Sequence, residues 1–160
     1  GTVGIIMEEA QGRTAYEIFD TDPTAFFSFV YNPFFIKQLI ELQLFDCITG
    51  EFDRNLSNFY IYYDPQTKAF KKITAFDSDN SFSPLSDIKV RVDGSEYRHF
   101  LPFSPKFVFK ESKEKVCNFD PNEISISAKG FLKEEEILAA QNRLKRLQEY
   151  LKSEDCMELD

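Results

Sequence analysis

Two short apolar runs joined by a polar turn constrain the fold of this chain more than any other feature. The runs, Asn58 to Tyr63 and Phe70 to Phe76, are rich in aromatic and β-branched residues. Runs of this composition on either side of a turn predict a β-hairpin. Polar side chains stand at its ends, because Asp53 and Asn58 lead into the first run and Asp77 follows the second. We expect the rigid strands to hold these polar residues near one another.

The spacing of these polar residues predicts phosphoryl-transfer chemistry. Asn58 follows Asp53 by five positions, and Asp77 closes the second run. This order places one carboxylate near an attacking hydroxyl, and an amide plus a carboxylate on a metal ion that holds nucleotide phosphates. We therefore predict Asp53 as the catalytic residue and Asn58 and Asp77 as ligands of Mg²⁺, which prefers oxygen. The alternative is that both segments are ordinary turns, where Asp and Asn are favoured.

Composition and charge indicate which classes of binding partner and which cellular compartment this chain suits. The 160 residues are 42% hydrophobic and include 18 Phe and no Trp, which predicts a globular core built largely on Phe. The net charge of −8 argues against a general nucleic-acid binder and against docking on an anionic membrane. Three scattered cysteines and a single His form neither a disulfide framework nor a zinc pattern. With no apolar run as long as a membrane span, we expect a cytoplasmic protein with free thiols.

Helices are predicted on both sides of the hairpin, so the expected fold class is α+β and mainly helical. One helix is predicted from Phe34 to Phe45, after the start signal Asn32-Pro33 and before Gly50. Lys133 to Leu151 is the clearest helix, because its apolar residues form one stripe. The pair Asp22-Pro23 is expected to cap an earlier helix. The sequence also predicts a strand at 107–109, little regular structure at 121–127 and a frayed acidic tail at 153–160.

The segments around the hairpin resemble the catalytic and metal-binding loops of kinase-like folds. The residues concerned are Asp53-Arg54-Asn55-Leu56-Ser57-Asn58 and Ala75-Phe76-Asp77-Ser78-Asp79-Asn80-Ser81-Phe82. They are similar to those of HipA-type toxin kinases, type II phosphatidylinositol 4-kinases and some bacterial effector kinases. In the lipid kinases the loops read Asp-Arg-x-x-x-Asn and Ile-Asp-Asn-Gly-x-x-Phe, whereas this chain lacks the Gly. The resemblance implies ATP and Mg²⁺ as cofactors, and the same roles for Asp53, Asn58 and Asp77.

Both ends of the chain resemble parts of a kinase C-lobe more loosely. Residues 1–12 look like the hinge strand and loop between the lobes, with an ordinary buried strand as the alternative. That resemblance implies adenine binding by the backbone of Met7, Glu8, Glu9 and Ala10. Residues 131–152 look like the closing helix. The resemblance therefore implies a C-lobe over 1–152, with its catalytic and metal loops in 50–82.

The sequence lacks two motifs of a complete kinase, and their absence limits the expected function. It contains no Gly-rich phosphate loop and no Val-Ala-x-Lys strand. We therefore expect a C-lobe whose N-lobe is absent from this chain, and which binds ATP poorly alone. The expected substrate is a protein hydroxyl. The alternatives are a phosphoinositide, or no catalysis and a pseudokinase-like module that binds a partner. If the chain is a translocated effector, its compartment is the host cytosol.

Arg54 lies directly after the predicted catalytic residue. We expect its guanidinium to pair with an acidic side chain near the loop. A contact with a substrate phosphate is the alternative role.

Overall fold

The computed structural model describes residues 11–76, 78, 81–84 and 105–160, which form a mixed α+β fold, as predicted. In chain order the elements are β1 (Arg13–Thr14), α1 (Ala15–Thr21), α2 (Pro23–Val30), α3 (Pro33–Thr49), β2 (Phe59–Tyr63), β3 (Phe70–Ala75), β4 (Phe107–Phe109), α4 (Lys110–Asn118), α5 (Pro121–Ala128), α6 (Glu134–Lys152) and β5 (Met157–Leu159). The predicted hinge strand at the start of the chain lies outside the described residues.

The predicted hairpin is confirmed. Strands β1, β2 and β3 form an antiparallel sheet in that order, and Phe59 pairs with Ala75 and Ile61 with Ile73. Phe59 and Ile61 are fully buried and lie two positions apart, so one face of β2 is turned towards the core. This register brings the start of β2 and the end of β3 together at the open end of the hairpin. Asn58, directly before β2, and Phe76, directly after β3, therefore lie next to each other.

Helix ends follow the signals in the sequence. Asp22 caps α2, its Oδ1 accepting a hydrogen bond from a backbone N–H of the first turn at 3.1 Å, with Pro23 as the first helical residue. Asn32 caps α3 in the same way. The helix predicted to end near Phe45 continues to Thr49, because the first residue that breaks it is Gly50 with a left-handed φ of 78°.

Two hydrophobic clusters share helix α3. The first packs α1 and α2 against the sheet and contains Ala15, Ile18, Ala25, Phe26, Phe29, Phe35, Phe59 and Ile61. The second packs α3 against α6, β4 and the end of the chain and contains Ile40, Leu44, Val108, Leu147, Leu151 and Cys156. The apolar stripe predicted for α6 is thus confirmed as a core face. Because α3 contributes to both clusters, it links the sheet to the C-terminal helices.

Two predictions for the last third of the chain were wrong. Residues 121–127, expected to have little structure, belong to α5, which Asp120 caps. The tail expected to be frayed contains β5, which pairs in parallel with β4, Phe107 opposite Met157. The strand predicted at 107–109 is therefore confirmed, and its partner Met157–Leu159 is a strand that the sequence did not predict.

Candidate functional site

The loop between α3 and β2, residues 50–58, is folded around its own polar side chains. The buried Asn58 donates from Nδ2 to the main-chain oxygen of Asp53 at 2.7 Å. The buried Glu51 accepts at Oε1 from the main-chain N–H of Asp53 at 2.9 Å. Asn55 adds a donation from Nδ2 to the main-chain oxygen of Asp53 at 3.2 Å. The backbone of Asp53 is therefore held at both its N–H and its C=O, beneath a half-buried carboxylate.

Asn58 has one property that a metal ligand requires. Its Nδ2 is engaged with the loop, whereas its Oδ1 accepts no hydrogen bond from any residue in the described part of the chain. An amide oxygen is a ligand type that Mg²⁺ accepts. The structure thus brings two of the predicted site residues, Asp53 and Asn58, into direct contact, and it orients Asn58 through its nitrogen.

Arg54 connects this loop to the end of β3. Its Nη1 donates to the main-chain oxygens of Asn58 at 2.8 Å and Phe76 at 2.6 Å. Its Nη2 donates to Ser78 Oγ at 3.3 Å. The main-chain N–H of Phe76 also donates to the oxygen of Asn58 at 3.2 Å. Phe76 and Ser78 flank the predicted metal ligand Asp77, so the chain on both sides of that position is bonded to the loop.

A buried ion pair anchors Arg54 to α3. Its Nε and Nη2 donate to the two carboxylate oxygens of Asp46, each at 3.0 Å, and the exposed fractions of the two side chains are 3% and 8%. Burial raises the pKa of Asp46 above its ordinary value, and the hydrogen bonds and charge of Arg54 oppose that shift. The pairing confirms the acidic partner expected for Arg54. Two parallel hydrogen bonds fix the orientation of the guanidinium plane as well as its position.

The segment 81–84 returns to the end of α3. The main-chain N–H of Phe82 donates to the oxygen of Thr49 at 2.6 Å, and Ser81 Oγ donates to Glu51 Oε2 at 3.0 Å. Phe82 has a φ of 60°, which is unusual for a residue with a bulky side chain. The described chain on both sides of 79–80 therefore contacts the loop 50–58, through Arg54 on one side and Glu51 on the other.

Arg143, from α6, is hydrogen-bonded both to the end of α3 and to the segment 81–84. It donates to the main-chain oxygens of Ile48, Thr49 and Ser83 at 2.9, 3.0 and 2.9 Å. Burial lowers the pKa of its guanidinium. Sequence reasoning missed this residue, although a signal existed, because Arg143 lies three positions after Ala140 and four before Leu147, on the face that the stripe predicts to be buried.

An apolar groove of about 620 Å³ lies next to the end of α3. Its walls come from α3, the segment 81–84, α4, α5 and the segment before α6. They include Phe45, Ile48, Phe82, Val116, Phe119, Ile124, Phe131 and Leu132. Phe131, at its rim, is 88% exposed. The groove and the loop region share Phe82 and the last turn of α3.

Several predicted residues are not placed. Asp77, predicted as a metal ligand, and the residues predicted to bind adenine, Met7, Glu8, Glu9 and Ala10, lie outside the described residues. The geometry of a complete metal site therefore stays a prediction. Among the residues that the structure does describe, no group of three His, Cys, Asp or Glu side chains is arranged to hold a metal ion.

Comparisons with protein-family models, with curated proteins and with solved structures found no match. Within the described ranges, none of the helices combines the length and apolarity that crossing a membrane requires.

Proposed function

We propose that this chain is the C-terminal lobe of an atypical kinase, which transfers a phosphoryl group from ATP to a hydroxyl of a protein. The observation that supports this proposal most directly is the double attachment around Asp53. Asn58 is hydrogen-bonded to the main chain of Asp53, and Arg54 bonds both neighbours of Asp77 to the same loop. Phosphoryl transfer requires such a convergence of a hydroxyl-orienting carboxylate with metal ligands from a second segment.

Each residue has a distinct role in this proposal. Asp53 accepts or orients the proton of the attacking hydroxyl, which requires hydrogen-bond reach to the acceptor. Asn58, through its amide oxygen, and Asp77, through its carboxylate, would hold Mg²⁺. The bound ion would neutralise the charge on the phosphate oxygens. The backbone of 7–10 holds the adenine, and an N-lobe outside these residues supplies the rest of the nucleotide pocket, so the isolated chain is inactive.

A protein acceptor fits the charge of the chain better than a lipid one. The net charge is −8. A phosphoinositide head group carries several negative charges and lies on an anionic surface, which an acidic protein repels. We therefore place a phosphoinositide second as a substrate. We also propose a cytosolic setting, which is the host cytosol if the chain is a translocated effector.

Paramagnetic NMR tests the metal site without requiring activity. Mn²⁺ with ATP, titrated into the ¹⁵N-labelled chain, is expected to broaden the amide signals of 53–58 and of Phe76 and Ser78 selectively, even at weak affinity. The Asp77→Asn and Asn58→Ala variants are expected to abolish this local broadening, because the first removes the negative charge of one ligand and the second removes the amide oxygen of the other. Asp64→Asn is the matched control, since Asp64 is also an acidic residue beside the hairpin but caps its far turn.

The result that would contradict the proposal is equally specific. Broadening spread over all acidic surfaces would show that no metal–nucleotide site exists at this loop. Local broadening that Asp77→Asn leaves unchanged would show that Asp77 does not hold the ion. If the local broadening is found, incorporation of phosphate from γ-labelled ATP into protein, measured with the N-lobe present, then tests the reaction itself. Asp53→Asn is expected to abolish incorporation while it preserves the Mn²⁺–ATP signal.

A non-catalytic partner-binding module is the second candidate function. The apolar groove favours it, since Phe45, Phe119 and Phe131 each expose at least 40% of their surface around one cavity. Exposed apolar patches of this kind mark interaction sites. Absence of any local Mn²⁺–ATP effect in the NMR titration, with a properly folded chain, would favour this second function over the first.

A further inference from the structure

Arg54 has a set of contacts larger than an ion pair needs. The guanidinium carries five N–H donors, and the structure gives it five hydrogen bonds. They run to both carboxylate oxygens of Asp46, to the main-chain oxygens of Asn58 and Phe76, and to Ser78 Oγ. Its side chain is 3% exposed. The number of hydrogen bonds thus equals the number of N–H donors of this buried guanidinium, and their acceptors belong to three different parts of the chain.

These three elements are the parts whose relative position defines the candidate site. Asp46 belongs to α3, Asn58 to the loop that carries Asp53, and Phe76 and Ser78 to the segment on either side of position 77. The planar guanidinium of Arg54 is hydrogen-bonded to all three, with donor–acceptor distances from 2.6 to 3.3 Å. A point-like ammonium has no comparable geometry, because it cannot make two parallel bonds to a carboxylate and also reach two carbonyls in the same plane.

We propose that Arg54 is a positioning residue that sets the separation between the loop of Asp53 and Asn58 and the two residues Phe76 and Ser78. Through that separation it sets the affinity of the site for a divalent ion bound to nucleotide. This inference rests on the proposed function. Arg54 touches neither the ion nor the nucleotide. It acts by holding Asn58, Phe76 and Ser78 in one hydrogen-bonded group.

The Arg54→Lys variant tests this role. Lysine keeps a positive charge beside Asp46 but loses the fork. We expect the apparent Kd for Mn²⁺–ATP, obtained from the line broadening of the loop amides, to rise about tenfold to a hundredfold, as is typical when a group that orients metal ligands is lost. We also expect faster hydrogen exchange at the Phe76 amide, whose bond to Asn58 depends on the same contact.

A control separates positioning from general stability. Val108→Ala removes fully buried volume from the second cluster, which contains neither the loop nor 76–78. It is expected to lower the urea midpoint while it leaves the Kd for Mn²⁺–ATP within about twofold, since Val108 packs against α3 in the second cluster but takes part in none of the hydrogen bonds of Arg54. If Arg54→Lys does not fold, Ser78→Ala replaces it. This change removes one hydroxyl from an exposed residue, and we expect it to raise the Kd about threefold.

The outcomes distinguish this inference from the proposed function. Failure of the wild-type chain to bind Mn²⁺–ATP at the loop would overturn both. Local binding by the wild type, with the same Kd in Arg54→Lys or, if that variant does not fold, in Ser78→Ala, would overturn the role of Arg54 alone. A Kd that rises equally in Val108→Ala would also overturn it, because the effect would then follow stability and not geometry.

Discussion

Replacing Gly50 with Ala tests how the end of α3, the candidate site and α6 are joined. Gly50 ends α3 with a φ of 78°, and a Cβ built there would lie 2.9 Å from Cζ and 3.0 Å from Nε of Arg143. The guanidinium cannot swing away freely, because it donates to three main-chain oxygens around this junction. The substitution therefore strains the backbone and displaces a buried charged group at the same time.

The magnitude follows from these two effects. A left-handed conformation costs a residue with a Cβ about 1–2 kcal/mol. Losing one hydrogen bond to a charged donor adds about 1.5–3 kcal/mol. We expect Gly50→Ala to lower the free energy of unfolding by about 2.5–5 kcal/mol, which a domain with about 5–15 kcal/mol of stability can survive. The measurement is urea unfolding followed by circular dichroism at 222 nm.

Gly130 provides the matched control. It also has a positive φ, 85°, but a Cβ there would meet nothing within 4 Å. Gly130→Ala is therefore expected to cost only about 1–2 kcal/mol. In an Arg143→Met background the cost of Gly50→Ala should fall to the same range, which gives a coupling energy of about 1.5–3 kcal/mol. The reasoning is refuted if Gly50→Ala costs no more than Gly130→Ala, or if the double-mutant cycle shows no coupling.

Two further predictions concern single titratable groups. Hydrogen bonds from Lys115 and Lys37, at 2.5 and 2.6 Å, lower the pKa of Glu111 from 4.5 to about 2. Because the folded-state pKa is lowered, this stabilisation is present above pH 4.5 and is lost as the pH falls towards 2. The melting temperature of Glu111→Gln should thus lie slightly below that of the wild type at pH 6 and coincide with it near pH 2; a difference independent of pH would contradict this. Burial, and secondarily the charge of Asp46, raises the pKa of Cys47 to about 12. Its thiol should therefore not react with iodoacetamide at pH 8 until urea unfolds the chain, as mass spectrometry of the labelled peptide would show; rapid labelling of the folded protein would disprove it.

The sequence was most informative where local chemistry determines structure. Helix ends could be predicted at Asp22-Pro23, Asn32-Pro33 and Gly50, because capping depends on residues within one turn. The hairpin was predictable because its two strands are neighbours in sequence. Helix α5 was missed because it is short and contains two serines and two isoleucines, none of which is a strong helix former. Strand β5 was missed because its partner β4 lies far away in the sequence.

The candidate site shows the same limit. The proximity of Asp53 and Asn58 follows from their spacing and from the hairpin, so it was predictable. The apolar stripe of α6 indicates that Arg143 is buried, but the partners of Arg143 and Glu51 were not predictable, because they come from other elements, such as Ser81 for Glu51. For Arg54 the sequence indicated an acidic partner but gave no sign of the carbonyls at Asn58 and Phe76. A single residue type does not reveal how many groups it contacts.

Helix α3 is about 25 Å long, with its 17 residues at the usual rise. Its last turn forms a wall of the apolar groove and leads directly into the loop that carries Asp53. Because one helical turn contacts both the groove and the loop, we expect a substitution at Ile48 to alter both. Mutagenesis aimed at only one of them is cleaner on the far walls, at Phe119 or Phe131 for the groove and at Asn58 for the loop.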